Sequence, residues 1–185
     1  IIGMLVQLFI SGMNSALTPW MYSKIKKGDI RSMRKVLQLL SVVVVGIAVA
    51  LMLISPELVL IFGSPKYREA VYVIPPVAAS VFFIFIYNIL SMPQFYYEKT
   101  QFLMAASMAA AGANVVLNFI FIRLFGYIAA GYTTLACYML YSVGHYIVSK
   151  RILVNEGIQE NLMSPGFLVA CSVFLIGASI ICNLI

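Results

Sequence analysis

Six long apolar stretches, separated by short clusters of charge, constrain this 185-residue chain more than any other feature. They run from about Ile2 to Tyr22, Leu37 to Phe62, Ala70 to Tyr97, Phe102 to Ile122, Tyr127 to Ser149 and Pro165 to Ile185. None carries a charge near its middle, although Glu57 falls late in the second and Arg123 closes the fourth. Crossing the hydrocarbon core of a bilayer takes about 20 apolar residues in a helix. Backbone groups in lipid must be paired within the protein, so uninterrupted runs of this length read as helices. A transmembrane barrel needs apolar–polar alternation, and none of the six shows it. The composition agrees: 63% of residues are hydrophobic and 10% charged, where a soluble domain has about half and a quarter. The predicted fold class is all-α, a polytopic transmembrane helix bundle of about six spans.

Three scattered cysteines exclude a disulfide scaffold. No Walker loop, nucleophile elbow, HExxH or CxxC occurs, and no carboxylate pair lies within a span. The expectation is therefore a protein that is not an enzyme, with no metal site and no cofactor. The chain starts at Ile1 and stops at Ile185, both inside apolar runs. It has no charged start or cleavage site of a signal peptide. Both ends are expected to continue into a longer membrane protein.

Loop charge predicts orientation. Lys24, Lys26, Lys27, Arg31, Arg34 and Lys35 fall in the first loop, Lys99 in the third, and Lys150 and Arg151 in the fifth. The even side holds only Lys66, Arg68 and Arg123, so the odd loops take nine of the twelve Lys and Arg residues. The positive-inside rule then places the odd loops (23–36, 98–101 and 150–164) in the cytoplasm. The net charge of +6 speaks to topology and to anionic membrane lipids. A nucleic-acid partner is not expected of a basic stretch this short between two membrane helices. The organisation predicted is five spans within 1–149, a cytoplasmic loop over 150–164 and a further span over 165–185.

Several residues inside the spans call for a reason. A proline removes a backbone donor and clashes with the preceding turn, so Pro19 and Pro93 are hinge candidates, with a static kink as the alternative. Pro75 and Pro76 equally suit the start of a helix. The small-residue block from Ala105 to Ala113 reads as a surface for close helix packing. Asn114 and Asn118, four apart, share a helix face, and facing lipid they would each forfeit about 2 kcal/mol or more. They are expected to face the bundle interior or a wet cavity, as packing hydrogen bonds or substrate contacts. His145, the one histidine, has no ligand partner at metal spacing and reads as a packed or interfacial residue rather than a proton relay.

The stretch Asn14–Tyr22 looks superficially like the last helix of a rhodopsin-like receptor, but five further apolar runs follow it. Three other signals carry a better likeness. The first is Ala16–Leu17–Thr18–Pro19 with Tyr22 and then Lys27–Gly28–Asp29. The second is Ile61–Phe62–Gly63–Ser64–Pro65–Lys66–Tyr67 with Ala70. The third is Gly112–Ala113–Asn114–Val115–Val116–Leu117–Asn118–Phe119, followed by Gly126–Tyr127–Ile128–Ala129–Ala130–Gly131 and Thr133–Thr134. In order and spacing, from about Ala16 to Arg151, they resemble the carboxyl-terminal part of a bacterial polysaccharide flippase. That family belongs to the superfamily that includes multidrug-and-toxin-extrusion transporters and the lipid II flippase. Ala130–Gly131–Tyr132 departs from the family's usual Gly-Ala-Ala.

The resemblance implies the carboxyl-terminal lobe of a two-lobed transporter of 12 to 14 helices, these spans being helices eight to thirteen. It implies a multi-pass protein of the bacterial inner membrane. The implied activity is translocation of an undecaprenyl-diphosphate-linked oligosaccharide to the outer leaflet by alternating access, for O-antigen or capsule synthesis. Implied partners are that lipid-linked oligosaccharide, membrane lipids, a coupling cation and a polysaccharide polymerase. On this reading Gln7 and Asn14 are the first substrate-path candidates. Asn88, Asn114, Asn118 and Arg123 are the second, with Arg123 placed to meet a diphosphate. A cation-coupled multidrug antiporter of the same superfamily is the alternative, and it would call for a membrane-embedded carboxylate. A membrane glycosyltransferase or polymerase would need catalytic carboxylates or a large polar loop.

Overall fold

A computed structural model describes the backbone of residues 2–62 and 65–184, with side chains for 8–61 and 69–184. Among the described residues the chain is helical throughout, with no strand. The helices are α1 (Ile2–Lys26), α2 (Ile30–Leu53), α3 (Ser55–Phe62), a 3-10 segment (Pro65–Tyr72), α4 (Ile74–Tyr96), α5 (Gln101–Phe125), α6 (Ala129–Asn155) and α7 (Pro165–Leu184). The side chain of Gln7, and Gly63 and Ser64 of the outer-loop motif, lie outside the described residues.

Local chemistry sets the ends of these helices. Gly28 takes a left-handed φ of 68° and its N–H donates to the Ile25 carbonyl at 3.0 Å, closing α1. Asp29 then caps α2, its carboxylate accepting from the Ser32 N–H at 3.2 Å. The Lys27–Gly28–Asp29 triplet is thus one C-cap followed at once by one N-cap. Pro75 and Pro76 occupy the first turn of α4, where a missing N–H costs nothing. Gly126 (φ 75°) ends α5, and Gly157 (φ 81°) follows α6.

These caps correct two of the expected boundaries. Arg31, Arg34 and Lys35 belong to the first turns of α2, and Lys150 and Arg151 to the last turns of α6. Charge marks the edge of the hydrocarbon, not the end of the helix, so both connections are shorter than 23–36 and 150–164. The second apolar run also divides, because Ser55–Pro56 begins a new short helix, α3.

Helix α4 is the hub. It packs against α1, α2, α6 and α7, while α5 lies outside against α6. Phe82, Phe85, Ile89 and Leu90 of α4 meet Met33, Leu37 and Val44 of α2, Met21 of α1 and Leu175 of α7 in a closed core. Lipid is as apolar as these side chains, so close van der Waals fit rather than burial holds them together. Helix α5 has no buried residue. The small-residue block therefore does not sit inside this bundle: Ala105, Ser107, Ala109, Ala111, Gly112 and Ala113 are exposed, since only one edge of α5 meets α6.

Successive long helices alternate in direction and give the bundle two ends. At one end Lys99 pairs with Glu156 at 2.8 Å and Arg34 Nε donates to the Asn161 carbonyl at 2.7 Å. These contacts bring together the start of α2, the α4–α5 connection and the α6–α7 connection; Lys24 and Asp29 pair across the α1–α2 turn. At the other end the Tyr127 hydroxyl donates to Glu69 at 2.7 Å. There Asn183 Nδ2 donates to the Tyr132 hydroxyl at 2.6 Å and the Tyr72 carbonyl at 3.1 Å.

Among the described residues, four stretches are long and apolar enough to cross a membrane: Ile30–Leu53, Glu69–Tyr96, Gln101–Phe125 and Pro165–Leu184. Helices α1 and α6, at 25 and 27 residues, have the length. They fall short in apolarity because they carry polar side chains: Ser11, Asn14 and Thr18 on α1, and on α6 the buried Thr133, Ser142 and His145. Outward-facing Leu39, Val115, Phe119, Val169 and Val173 give the bundle a greasy exterior.

Candidate functional site

Helix α1 turns Ser11, Asn14, Ser15 and Thr18, spaced one turn and two turns apart, towards α4. Against that stripe α4 sets Ser80, Tyr87 and Asn88, and Tyr138 of α6 joins them. Together with apolar walls from Ile10, Val77, Val81 and Ile84 they line a cavity of about 670 Å³. That lies within the usual size range of small-molecule sites, about 300–1,000 Å³.

The lining mixes polar with apolar side chains and, among the described residues, carries no charged one. Much of its donor capacity is turned back onto the helices. Thr18 Oγ1 donates to the Asn14 carbonyl at 2.7 Å and Ser15 Oγ to the Ser11 carbonyl at 3.0 Å. Ser80 Oγ donates to the Val77 carbonyl at 2.6 Å, and Asn88 Nδ2 to the Ile84 carbonyl at 2.7 Å. What remains for a ligand is a neutral set of both kinds: acceptors on the hydroxyls and the two amide oxygens, and donors on the Asn14 amide nitrogen and the Tyr87 and Tyr138 hydroxyls. The Asn14 Oδ1 atom is buried and has no partner. A buried acceptor left unmatched costs about 1–3 kcal/mol, a cost that a donor-bearing ligand would remove. Tyr87 and Tyr138 stand nearly parallel, their ring centres 6.1 Å apart, and they add flat apolar surface to the wall.

Of the residues singled out in the sequence, the structure brings Asn14 and Asn88 into this one cavity. Asn114 and Asn118 lie elsewhere, on α5. Asn118 Nδ2 donates to Asn114 Oδ1 at 2.9 Å, and Thr133 Oγ1 of α6 donates to Asn118 Oδ1 at 2.6 Å. That ladder ties α5 to α6. Arg123 is exposed, its guanidinium 3.9 Å from the centre of the Phe119 ring, a cation–π contact. Pro19 is an exposed position in α1 and Pro93 a buried one in the last turn of α4, and the helix runs through both. Ser11, Ser15, Thr18, Tyr87 and Tyr138 are lining residues that sequence reasoning passed over. The spacing of the first three around Asn14 was the available signal.

No curated protein and no solved structure matches the chain. The MatE family model matches residues 2–120, which span α1 to most of α5 and include all but one of the residues around the cavity. With its apolar helices, the chain is a multi-pass membrane protein and belongs to the MatE family of transporters.

Proposed function

We propose that this chain is the carboxyl-terminal lobe of a bacterial inner-membrane flippase. Its cargo is an undecaprenyl-diphosphate-linked oligosaccharide, carried from the cytoplasmic to the outer leaflet for cell-surface polysaccharide synthesis. The observation that carries the reading is the cavity between α1 and α4, where neutral hydroxyls and amides stand among apolar walls. Sugar hydroxyls, neutral donors and acceptors at once, match it, and they need a polar path that hydrocarbon does not provide. The end bearing Lys24, Lys26, Lys27, Arg31, Arg34 and Lys35 is taken as cytoplasmic. There these cations would attract the diphosphate as the lipid loads. Rocking of two lobes about a midplane site would then expose the sugar to the other side. A coupling cation, and contact with the polymerase that consumes the product, complete the scheme.

A drug antiporter is the competing reading, since ammonium groups are donors too. Among the described residues the lining carries no carboxylate to hold an organic cation, which favours the sugar. The deciding experiment reconstitutes the whole protein in vesicles with a fluorescent lipid-linked oligosaccharide and follows its appearance in the opposite leaflet. Movement that weakens in Asn14→Leu and Asn88→Leu supports the flippase. Extrusion of a cationic dye with no movement of the lipid-linked sugar would assign the antiporter instead.

A further inference from the structure

His145 is fully buried on α6 and Gln94 fully buried on α4. Gln94 Nε2 lies 2.7 Å from His145 Nδ1 and also donates to the Leu90 carbonyl at 3.3 Å. With the amide nitrogen turned to the ring both its protons are spent, Nδ1 accepts, and in this arrangement the imidazole is neutral with its proton on Nε2. Two polar atoms of this pair, Gln94 Oε1 and His145 Nε2, are buried without any partner, as is Ser149 Oγ one turn along α6. A histidine kept only for packing would be expected to satisfy its nitrogens. This one is half satisfied.

The spare oxygen belongs to the amide already in contact with Nδ1. Adding a proton there turns Nδ1 into a donor. A half-turn of the Gln94 amide then presents Oε1 as its acceptor, at the loss of the bond to Leu90. The pair thus keeps its mutual hydrogen bond in either charge state. Aromatic rings surround the imidazole: Tyr141 at 4.4 Å and perpendicular, Phe102 at 5.4 Å, and Tyr87 at 5.9 Å. Gly144 makes room for one of them, since a methyl group there would stand 3.3 Å from Phe102. The titratable side chains in contact are Tyr87 from α4 and Tyr141 from α6, while α5 supplies only the Phe102 ring. Lys99 and Glu156, near the corresponding helix ends, are paired with each other.

Tyr87 also lines the cavity, beside Asn88. One ring therefore touches both the transport cavity and the histidine. The other neighbour is Pro93, adjacent to Gln94, which deprives the Ile89 carbonyl of its helical donor and leaves α4 weakest at this turn.

We propose that the Gln94–His145 pair is a proton-binding site, in which Nδ1 takes one proton from water as the Gln94 amide turns over, and which answers to cavity occupancy through Tyr87. No covalent bond other than the new N–H forms, the site gains one positive charge, and release reverses both changes. The coupling role rests on the transport reading given above; proton binding itself does not.

The test uses the whole protein in lipid nanodiscs with nitrogen-15-labelled histidine, assigned by its loss in His145→Gln. At neutral pH the spectrum should show Nδ1 bare and Nε2 protonated. On acidification both nitrogens should become protonated, reversibly and with the helical circular dichroism unchanged. Gln94→Glu should move the neutral-state proton to Nδ1, and Gln94→Met, which offers neither donor nor acceptor, should give mixed tautomers. A proton on Nδ1 in the unaltered protein overturns the proposal. So does a ring that stays neutral until the helices melt, or a tautomer indifferent to both Gln94 variants. In vesicles, His145→Gln should lose the dependence of transport on an imposed pH gradient while keeping cargo exchange at equal pH. Retained gradient dependence overturns the coupling. Should no lipid-linked sugar move in any variant, the flippase reading falls and the spectra still decide the proton site.

Discussion

Gly131 and Pro76 approach so closely that a methyl group built on Gly131 would stand 2.8 Å from the proline Cγ and 3.1 Å from the Val73 carbonyl oxygen. The first turn of α6 is thereby seated against the first turn of α4, at the end of the bundle where α4 meets α1 and the cavity. Neither obstacle is a flexible side-chain tip: one is a ring and the other backbone. Gly131→Ala should force the helices apart and destabilise the bundle by about 1–3 kcal/mol. Gly112→Ala on α5, where nothing lies within 4 Å, should be neutral or should stabilise by about 0.5–1 kcal/mol. Thermal unfolding of both variants in detergent checks the contrast, and equal midpoints would remove the argument.

Asp29 carries two duties at the α1–α2 turn, as N-cap of α2 and as partner of Lys24. The Lys24 ammonium, with the Ser32 bond, lowers its carboxyl from 3.8 to about 2. A depressed carboxyl contributes stability that is complete above its unfolded value and is lost as pH falls through the folded one. The cap should therefore hold at pH 5 and loosen between about 4 and 2. Lys24→Gln should raise the titration midpoint of Asp29, as followed by carbon-13 shifts of its carboxyl, and should start the fraying of α2 at higher pH. A midpoint unchanged by Lys24→Gln would show that the cap alone sets the shift.

The cavity makes a graded prediction. Asn14→Leu replaces an unpartnered buried acceptor with an apolar group of similar size, so the fold should hold or gain slightly while transport falls. Asn118→Leu removes the acceptor of Thr133. The Thr133 hydroxyl keeps the Ala130 carbonyl at 3.1 Å, so the cost should be that of one ordinary hydrogen bond, about 0.5–1.5 kcal/mol, with transport lost only as folding is. Paired measurements of melting and of vesicle transport separate the two. A transport defect in a fully folded Asn118→Leu protein would bring α5 back into the substrate path.

The helices were legible in the sequence because lipid demands long apolar runs, and any chain that meets the demand displays it. Their ends were less so. Charge at Arg31 or Lys150 marks where the membrane stops, and a helix is free to continue past that point until a Gly28 or a Gly157 ends it. The cavity was half legible: Asn14 and Asn88 stand out as amides in apolar surroundings. Ser11, Ser15 and Thr18 are common in membrane helices and acquire meaning only when α4 is seen opposite them. The block from Ala105 to Ala113 misled because small residues announce a capacity for close packing without naming the neighbour. Gln94 and His145, 51 residues apart, were both visible as polar residues in spans. Their pairing depends on α4 lying against α6, a tertiary fact that no local pattern encodes.

Contacts at the two ends also make the orientation testable. Ser32 belongs to the end that holds Lys99 and Glu156, whereas Phe125, 68% exposed, belongs to the end that holds Glu69 and Tyr127. With Cys137, Cys171 and Cys182 replaced by alanine, Ser32→Cys and Phe125→Cys can be labelled in intact cells by a membrane-impermeant maleimide. The positive-inside argument expects Phe125→Cys to react from outside and Ser32→Cys to react only after the membrane is opened. The contacts within the bundle fix only that the two must differ. If both positions react from the same side, the arrangement of α1 to α5 as successive crossings is wrong. If they react in the reverse order, the bundle stands and the basic end faces outward, where it could not gather a cytoplasmic diphosphate.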